Sequence, residues 1–157
     1  MVGREYEAAG IVNDGSKMIN AVSNSTVPAI TIMLGASYGA GNYAMCGRAY
    51  APRFLFGWCN SRVSVMGPEQ LSGVMDLVMR EAARKRGVTV DEDMAKAQLD
   101  AFRGQVEQTS DAYYVSARCI DDGLIDPRQT RQVVGLCLAL THGAAIEGTM
   151  RFGVHRM

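Results

Sequence analysis

The sequence predicts a mixed α/β domain, on three observations. An apolar run rich in β-branched residues, positions 28–34, is bounded by Pro28 and Gly35 and breaks into a glycine-rich turn that leads into small residues suited to a helix start. Along the rest of the chain, short strand-like runs alternate with amphipathic helical stretches, with no linker, repeat or low-complexity tract between them. The chain's 157 residues suffice for one domain with a sizeable core and are too few for two.

Taken in order, residues 7–23 suit a helix with Ile11, Gly15, Met18, Ile19 and Val22 on one face, weakened by Gly10 and Gly15. The run 28–34 reads as a buried strand, followed by the turn Gly35-Ala36-Ser37-Tyr38-Gly39-Ala40-Gly41. Residues 53–58 and 62–66 read as two short strands about a Cys59-Asn60-Ser61 turn. Gly67-Pro68-Glu69 opens a helix, with Leu71, Val74, Met75, Val78 and Ala82 at helical spacing. That helix collects Arg80, Arg84, Lys85 and Arg86 before a glycine stop at Gly87, a charged end that reads as solvated rather than as a binding patch.

A second helix is expected over residues 92–106, capped by Asp91 or its neighbour, with Ala95, Leu99, Phe102 and Val106 on one face. A shorter helical piece follows over 111–119, then a turn at Asp121-Asp122-Gly123 and a minimal strand at Leu124-Ile125. Asp126-Pro127-Arg128-Gln129 announces the last helix, with Asp as the cap and Pro in the first position. Residues 133–140 are apolar nearly all round, so this helix is expected to be buried or covered by a partner; the tail beyond Gly143 reads as weakly structured.

Composition narrows the function. Sixteen basic and sixteen acidic residues cancel, and no basic stripe interleaves with aromatics, so nucleic-acid and acidic-membrane electrostatics are not implied. Arg4, Glu5, Glu7, Asp14 and Lys17 exclude a secretory h-region, and the longest apolar runs are too short to span a bilayer, so the chain reads as soluble. Cys46, Cys59, Cys119 and Cys137 form no CxxC and pair with neither His142 nor His155 in sequence; they read as buried reduced thiols, with no metal site.

Three chemistries compete for the glycine turn. Gly35-Ala36-Ser37-Tyr38-Gly39 matches the G-x-S-x-G nucleophile elbow of a serine hydrolase, with Asp121 or Asp126 and then His142 in the right chain order. Against it, His142 stands near the end of an apolar helix and no oxyanion-loop motif precedes the strand. Gly39-Ala40-Gly41-Asn42-Tyr43-Ala44 matches a dinucleotide fingerprint, but the ribose-binding acid expected downstream is missing until Glu69. The third reading needs only backbone: consecutive N–H groups at a helix start, with small residues allowing close approach, form an oxyanion hole. A glycine turn that binds nothing is equally compatible with these residues.

Four stretches, residues 3–18, 35–70, 116–131 and 152–157, together resemble the carboxyltransferase β subunit of biotin-dependent acyl-CoA carboxylases, in its methylcrotonoyl-CoA and geranyl-CoA carboxylase branch. The resemblance covers essentially the whole chain. It implies a crotonase-like (ClpP/crotonase) fold of layered β-β-α units. It also implies that residues 1–157 correspond to the second half of the family's C-terminal carboxyltransferase domain, the N-terminal domain being absent, as in a truncated product or fragment.

By the same resemblance, the activity is the carboxyltransferase half-reaction of a carbon–carbon bond-forming ligase. The carboxyl group moves from carboxybiotin, carried on a biotin carboxylase/biotin carrier α subunit, to an unsaturated acyl-CoA such as 3-methylcrotonoyl-CoA, in leucine degradation. The family's biotin-side oxyanion hole maps onto the N–H groups of Ala40 and Gly41, while Ser37, Tyr38, Gly39, Asn42 and Tyr43 line the biotin pocket. No metal is implied. The expected partners are the α subunit and further β chains in a hexameric core, in the cytoplasm of a bacterium or the mitochondrial matrix of a eukaryote. An inactive fragment that serves as an assembly surface is the alternative. His155 stands where the family has an aromatic and reads as a surface or interface residue; with residues 141–151 also departing from the pattern, the acyl group stays open.

Overall fold

A computed structural model of the chain describes residues 3–143 and residue 145; His155 and the expected weak tail lie outside them. The chain opens with a short helix, α1 (Arg4–Ala8), and a longer one, α2 (Ile11–Asn24). The single helix expected here is split because Gly10 takes a left-handed conformation, φ 95°, and caps α2 from outside the helical region.

Two turns of a β-β-α pattern follow. The first consists of β1 (Ile30–Met33), β2 (Ala36–Tyr38) and α3 (Ala40–Ala44); the second, after a 3₁₀ turn at Arg48–Tyr50, of β3 (Phe54–Trp58), β4 (Arg62–Ser64) and α4 (Pro68–Arg86). The strands separate into two sheets. β1 and β3 pair in parallel, with Ile30 opposite Phe54 and Met33 opposite Gly57, while β2 and β4 pair in parallel, with Ala36 opposite Arg62 and Tyr38 opposite Ser64. Each unit therefore places its first strand in one sheet and its second strand in the other. Parallel pairing of this kind requires a crossover between the partners, which the intervening helix supplies.

Helices α5 (Glu92–Thr109) and α6 (Ala112–Ser116) lead to β5 (Leu124–Ile125), which joins β3 in parallel and completes a three-stranded sheet in the order β1-β3-β5. Asp91 caps α5 by accepting from the N–H groups of Asp93 and Met94, and Asp111 caps α6 by accepting from Tyr113. Gly87 ends α4 in the left-handed region at φ 66°, as its sequence position predicts. At Asp126 the cap and proline produce a 3₁₀ turn, Pro127–Gln129, and the helix α7 (Thr130–His142) begins after it.

The core gathers where the three-stranded sheet meets the helices: Ile19, Met33, Leu55, Ala95, Val106, Ala112, Val115, Ile125 and Cys137 are buried, Leu55 and Ala112 the most completely at 1% exposure. Two sequence expectations are corrected here. Cys59 and Cys119 are exposed, so only Cys137 behaves as a buried thiol, with its pKa pushed up by burial. Of the expectation that the last helix is buried or covered by a partner, only the first arm fails: within this chain Leu136, Leu138 and Leu140 of α7 face outward with more than half of their surface exposed, because a helix apolar on all sides cannot cover every side with one sheet.

Candidate functional site

The candidate site lies where β2 turns into α3. Residues 36–38, expected to be part of a turn, are a strand because β4 supplies a parallel partner for them. The strand then hands over to the helix at Gly39, whose N–H donates to the Ser64 carbonyl at 3.1 Å. Gly39 has φ 54° and ψ −131°, and a Cβ there would stand 2.9 Å from the Val65 carbonyl oxygen. Only glycine fits this position.

The peptide groups beyond Gly39 enter α3 as its first turn, where helix N–H groups have no intrahelical acceptor. The Asn42 N–H is taken by the Gly39 carbonyl at 3.1 Å, but among the described residues no hydrogen bond uses the N–H of Ala40 or Gly41. Both residues are exposed, and a Cβ on Gly41 would meet nothing within 4 Å. Two adjacent donors thus sit beside open space.

The other residues expected at the site are assembled around this pair. Asn42 Nδ2 donates to Ser37 Oγ at 2.9 Å, tying the helix back to the strand. Gly47 closes the far end of α3: its N–H donates to the Asn42 carbonyl at 2.8 Å, and any Cβ would collide with Asn42. Tyr43, about half exposed, packs edge-on against Tyr50 with ring centroids 5.7 Å apart. Tyr38 contributes to a cavity of ≈ 400 Å³ also lined by Arg62, Gly67, Gln70, Arg103 and Ser110. Ala40 and Gly41 do not line it, so it meets the candidate residues through Tyr38 alone.

The geometry does not support a triad. The Ser37 hydroxyl accepts from Asn42, and no hydrogen bond joins it to His142, Asp121 or Asp126. Asp126 is held by Arg128, whose guanidinium keeps its carboxyl below the usual carboxylate range, and Asp121 accepts from the Gly123 N–H. Among the described residues no group of three or more His, Cys, Asp or Glu side chains is placed to hold a metal ion, and no helix is long and apolar enough to cross a membrane.

The sequence reading missed the residues that brace the turn. Asp122 acts as a strand edge toward β3: its N–H donates to the Leu55 carbonyl and its Oδ2 accepts from the Leu55 N–H, each at 2.7 Å. Arg48 pairs with its other oxygen at 2.8 Å and donates to the Ile120 carbonyl at 2.9 Å, which holds the Asp122 carboxyl below its ordinary range. Thr31 Oγ1 donates to the Cys46 carbonyl at 2.9 Å, so the end of α3 is fixed to β1 as well. Arg62, paired with Asp111, fixes β4 to the start of α6. The adjacent acids Asp121-Asp122 before Gly123 were the one sequence signal of this bracing, and they read only as a turn.

Two adjacent N–H donors at a helix head can stabilise negative charge that develops on an oxygen. Residues 1–153 match the carboxyl transferase domain, and the chain belongs to that family. It is 54% identical over 157 residues to a probable biotin-dependent acyl-coenzyme A carboxylase beta2 subunit of Mycobacterium tuberculosis, covering all of this chain and 30% of that protein. With the mitochondrial methylcrotonoyl-CoA carboxylase beta chain of Arabidopsis thaliana it shares 48% identity over 161 residues, covering all of this chain and 27% of that one. Among solved structures, the beta subunit of geranyl-CoA carboxylase from P. aeruginosa superposes with a TM-score of 0.83 at 41% identity, over all of this chain and 30% of that one. The fold is accordingly the crotonase-like one of carboxyltransferase domains. The chain spans about 30% of the length of the relatives it matches.

Proposed function

We propose that this chain forms the biotin-facing part of a carboxyltransferase active site in a biotin-dependent acyl-CoA carboxylase, as the second half of a C-terminal carboxyltransferase domain. One observation carries the reading: two adjacent N–H groups, Ala40 and Gly41, stand unbonded beside open space at the head of α3, in a chain that matches the carboxyl transferase family over residues 1–153.

The residues present fit biotin in kind. Its ureido oxygen needs paired donors, and its uncharged bicyclic body needs small and aromatic walls rather than a charged cradle. When bound, biotin carried on a partner subunit supplies the carboxyl group and a ureido oxygen on which negative charge grows as that group departs. The N–H groups of Ala40 and Gly41 would donate to that oxygen. Gly39, which no other residue can replace without strain, fixes their direction, and the absence of a side chain at Gly41 permits close approach. Ser37, held by Asn42, and the rings of Tyr38 and Tyr43 would stand beside the bound bicyclic body.

The acyl acceptor in this reading is an unsaturated acyl-CoA of the methylcrotonoyl or geranyl kind, bound with the help of the remainder of a complete β subunit. The outward leucines of α7 support contact with further protein, in keeping with a hexameric β core that works with an α subunit carrying biotin. The compartment follows the source: the cytoplasm in a bacterium, the mitochondrial matrix in a eukaryote.

The test mixes this chain with a biotinylated α subunit, bicarbonate, MgATP and 3-methylcrotonoyl-CoA, with and without the remainder of a β subunit, and follows carboxylated thioester. Product should form only when both partners are present. Thioester hydrolysis by the chain alone, abolished by Ser37→Ala, would instead establish a hydrolase. Binding to β chains without product under any combination would leave an assembly role only.

A further inference from the structure

A second polar arrangement lies beside Gly57 of β3. Ser61 and Asp121 are buried, at 1% and 5% exposure, and Ser61 Oγ and Asp121 Oδ2 are the two buried side-chain oxygens without a hydrogen-bond partner among the described residues. They converge on one place. A Cβ built on Gly57 would stand 2.9 Å from Ser61 Oγ and 3.4 Å from Asp121 Oδ2, with Leu124 Cδ2 at 3.2 Å. Gly57 is itself buried in β3 and opposite Leu124 of β5, so its missing side chain is what lets a hydroxyl and a carboxylate approach across the sheet. Buried polar atoms are costly unless paired, and these two, unpaired in the structure, flank the same point beside Gly57.

Both residues are anchored on either side. Asp121 Oδ1 accepts from the Gly123 N–H at 3.1 Å, and the Gly57 N–H donates to the Gly123 carbonyl at 3.2 Å, fixing the acid to β3. The Ser61 N–H donates to the Trp58 carbonyl at 2.9 Å, and its neighbours Asn60 and Arg62 donate to the carbonyls of Leu34 and Gly35 at 3.3 and 3.1 Å. The Ser61 turn is therefore the fulcrum from which β4 departs. β4 sets the register of β2, and the Ser64 carbonyl receives the Gly39 N–H.

We infer that Ser61 and Asp121 form a buried hydroxyl–carboxylate couple, joined directly or through one ordered water, in the space Gly57 leaves open. They are positioning residues for the reaction: Ser61 Oγ–H donates toward Asp121 Oδ2, the couple fixes the 59–61 turn, and that turn aims the amides of Ala40 and Gly41 through β4 and β2. The inference rests on the functional reading above for its catalytic consequence, though not for the couple itself.

The experiment uses a complete β subunit assembled with its biotin-bearing partner. A crystal structure at a resolution that shows ordered water should place Ser61 Oγ in hydrogen-bond contact with Asp121 Oδ2, directly or through one water; either atom bonded to another group would overturn the couple. Ser61→Ala should lower kcat per assembled enzyme by at least about tenfold and at most about 10²-fold, the range expected when donors shift by up to an ångström. KM for the acyl-CoA should be unchanged, because the donors act on the biotin oxygen. Gly57→Ala, which fills the space, should do the same, and Ser61→Ala with Asp121→Asn should be no worse than the poorer single variant. Loss of assembled protein with kcat per assembled enzyme unchanged would show a merely structural role and overturn the inference. A normal kcat in these variants alongside an impaired Ala40→Pro enzyme would sink this inference alone. Normal turnover in Ala40→Pro as well would sink the functional reading.

Discussion

Gly39→Ala tests whether the donor pair is held by backbone geometry. At φ 54° and ψ −131° an L side chain is strained by about 1–3 kcal/mol, and the added Cβ would meet the Val65 carbonyl oxygen at 2.9 Å. The chain can hold its geometry and carry that strain, or move the turn to relieve it. A displacement of about 1 Å at a catalytic donor costs up to about 10²-fold in rate, equivalent to about 2.7 kcal/mol. The obstructing atom is backbone and cannot swing aside, so the turn should move, and the variant should lose activity. Gly41→Ala is the packing control, because a Cβ there touches nothing within 4 Å and a helical glycine gains from the change. In the complete enzyme, Gly39→Ala should lower turnover between about tenfold and 10²-fold and speed amide exchange across residues 36–45, while Gly41→Ala leaves exchange there unchanged. Unaltered exchange and turnover in Gly39→Ala would refute the claim that this glycine aims the donors.

Two further outcomes follow from the same structure. Arg48 and the Leu55 N–H lower the Asp122 pKa in the folded state, so its contribution to stability is fully present above the ordinary carboxylate value of about 3.9 and is lost as pH falls through the depressed value. Thermal midpoints measured from pH 6 to pH 3 should therefore fall less steeply for Asp122→Asn than for the parent, and parallel curves would contradict this bracing role. Replacing Leu136 and Leu140, both 62% exposed, with Glu should shift the sedimentation of the complete β assembly to smaller species without loss of helical signal; an unchanged assembly would show that α7 is not an interface.

Much of this arrangement was legible in the sequence, and the omissions have a common cause. Local chemistry announced α4 through Gly67-Pro68 and Gly87, α5 through Asp91, and the β5 turn through Asp121-Asp122-Gly123, because caps, stops and turns are set by residues within a few positions of each other. Residues 36–38 were read as a turn because their strand character comes from β4, 26 residues onward, and not from their own small, polar side chains. Asp126 signalled a helix start correctly but could not say that a 3₁₀ turn intervenes. The helix head after the glycine turn was legible in the residues, while Ala40 and Gly41 were singled out by the family resemblance. What supports that head was not legible: Arg48 reaches Asp122 across 74 positions, and Ser61 and Asp121 come together only beside Gly57.

The most direct test of the account is turnover of a complete carboxylase carrying Ala40→Pro. Proline is favoured at the first position of a helix, where Ala40 stands in α3, so the substitution removes one N–H while the backbone keeps its course. The account predicts a normally assembled enzyme whose carboxyl transfer falls by about 10²–10³-fold, the loss expected for one oxyanion donor. A normally assembled Ala40→Pro enzyme that turns over at close to the parent rate would contradict it.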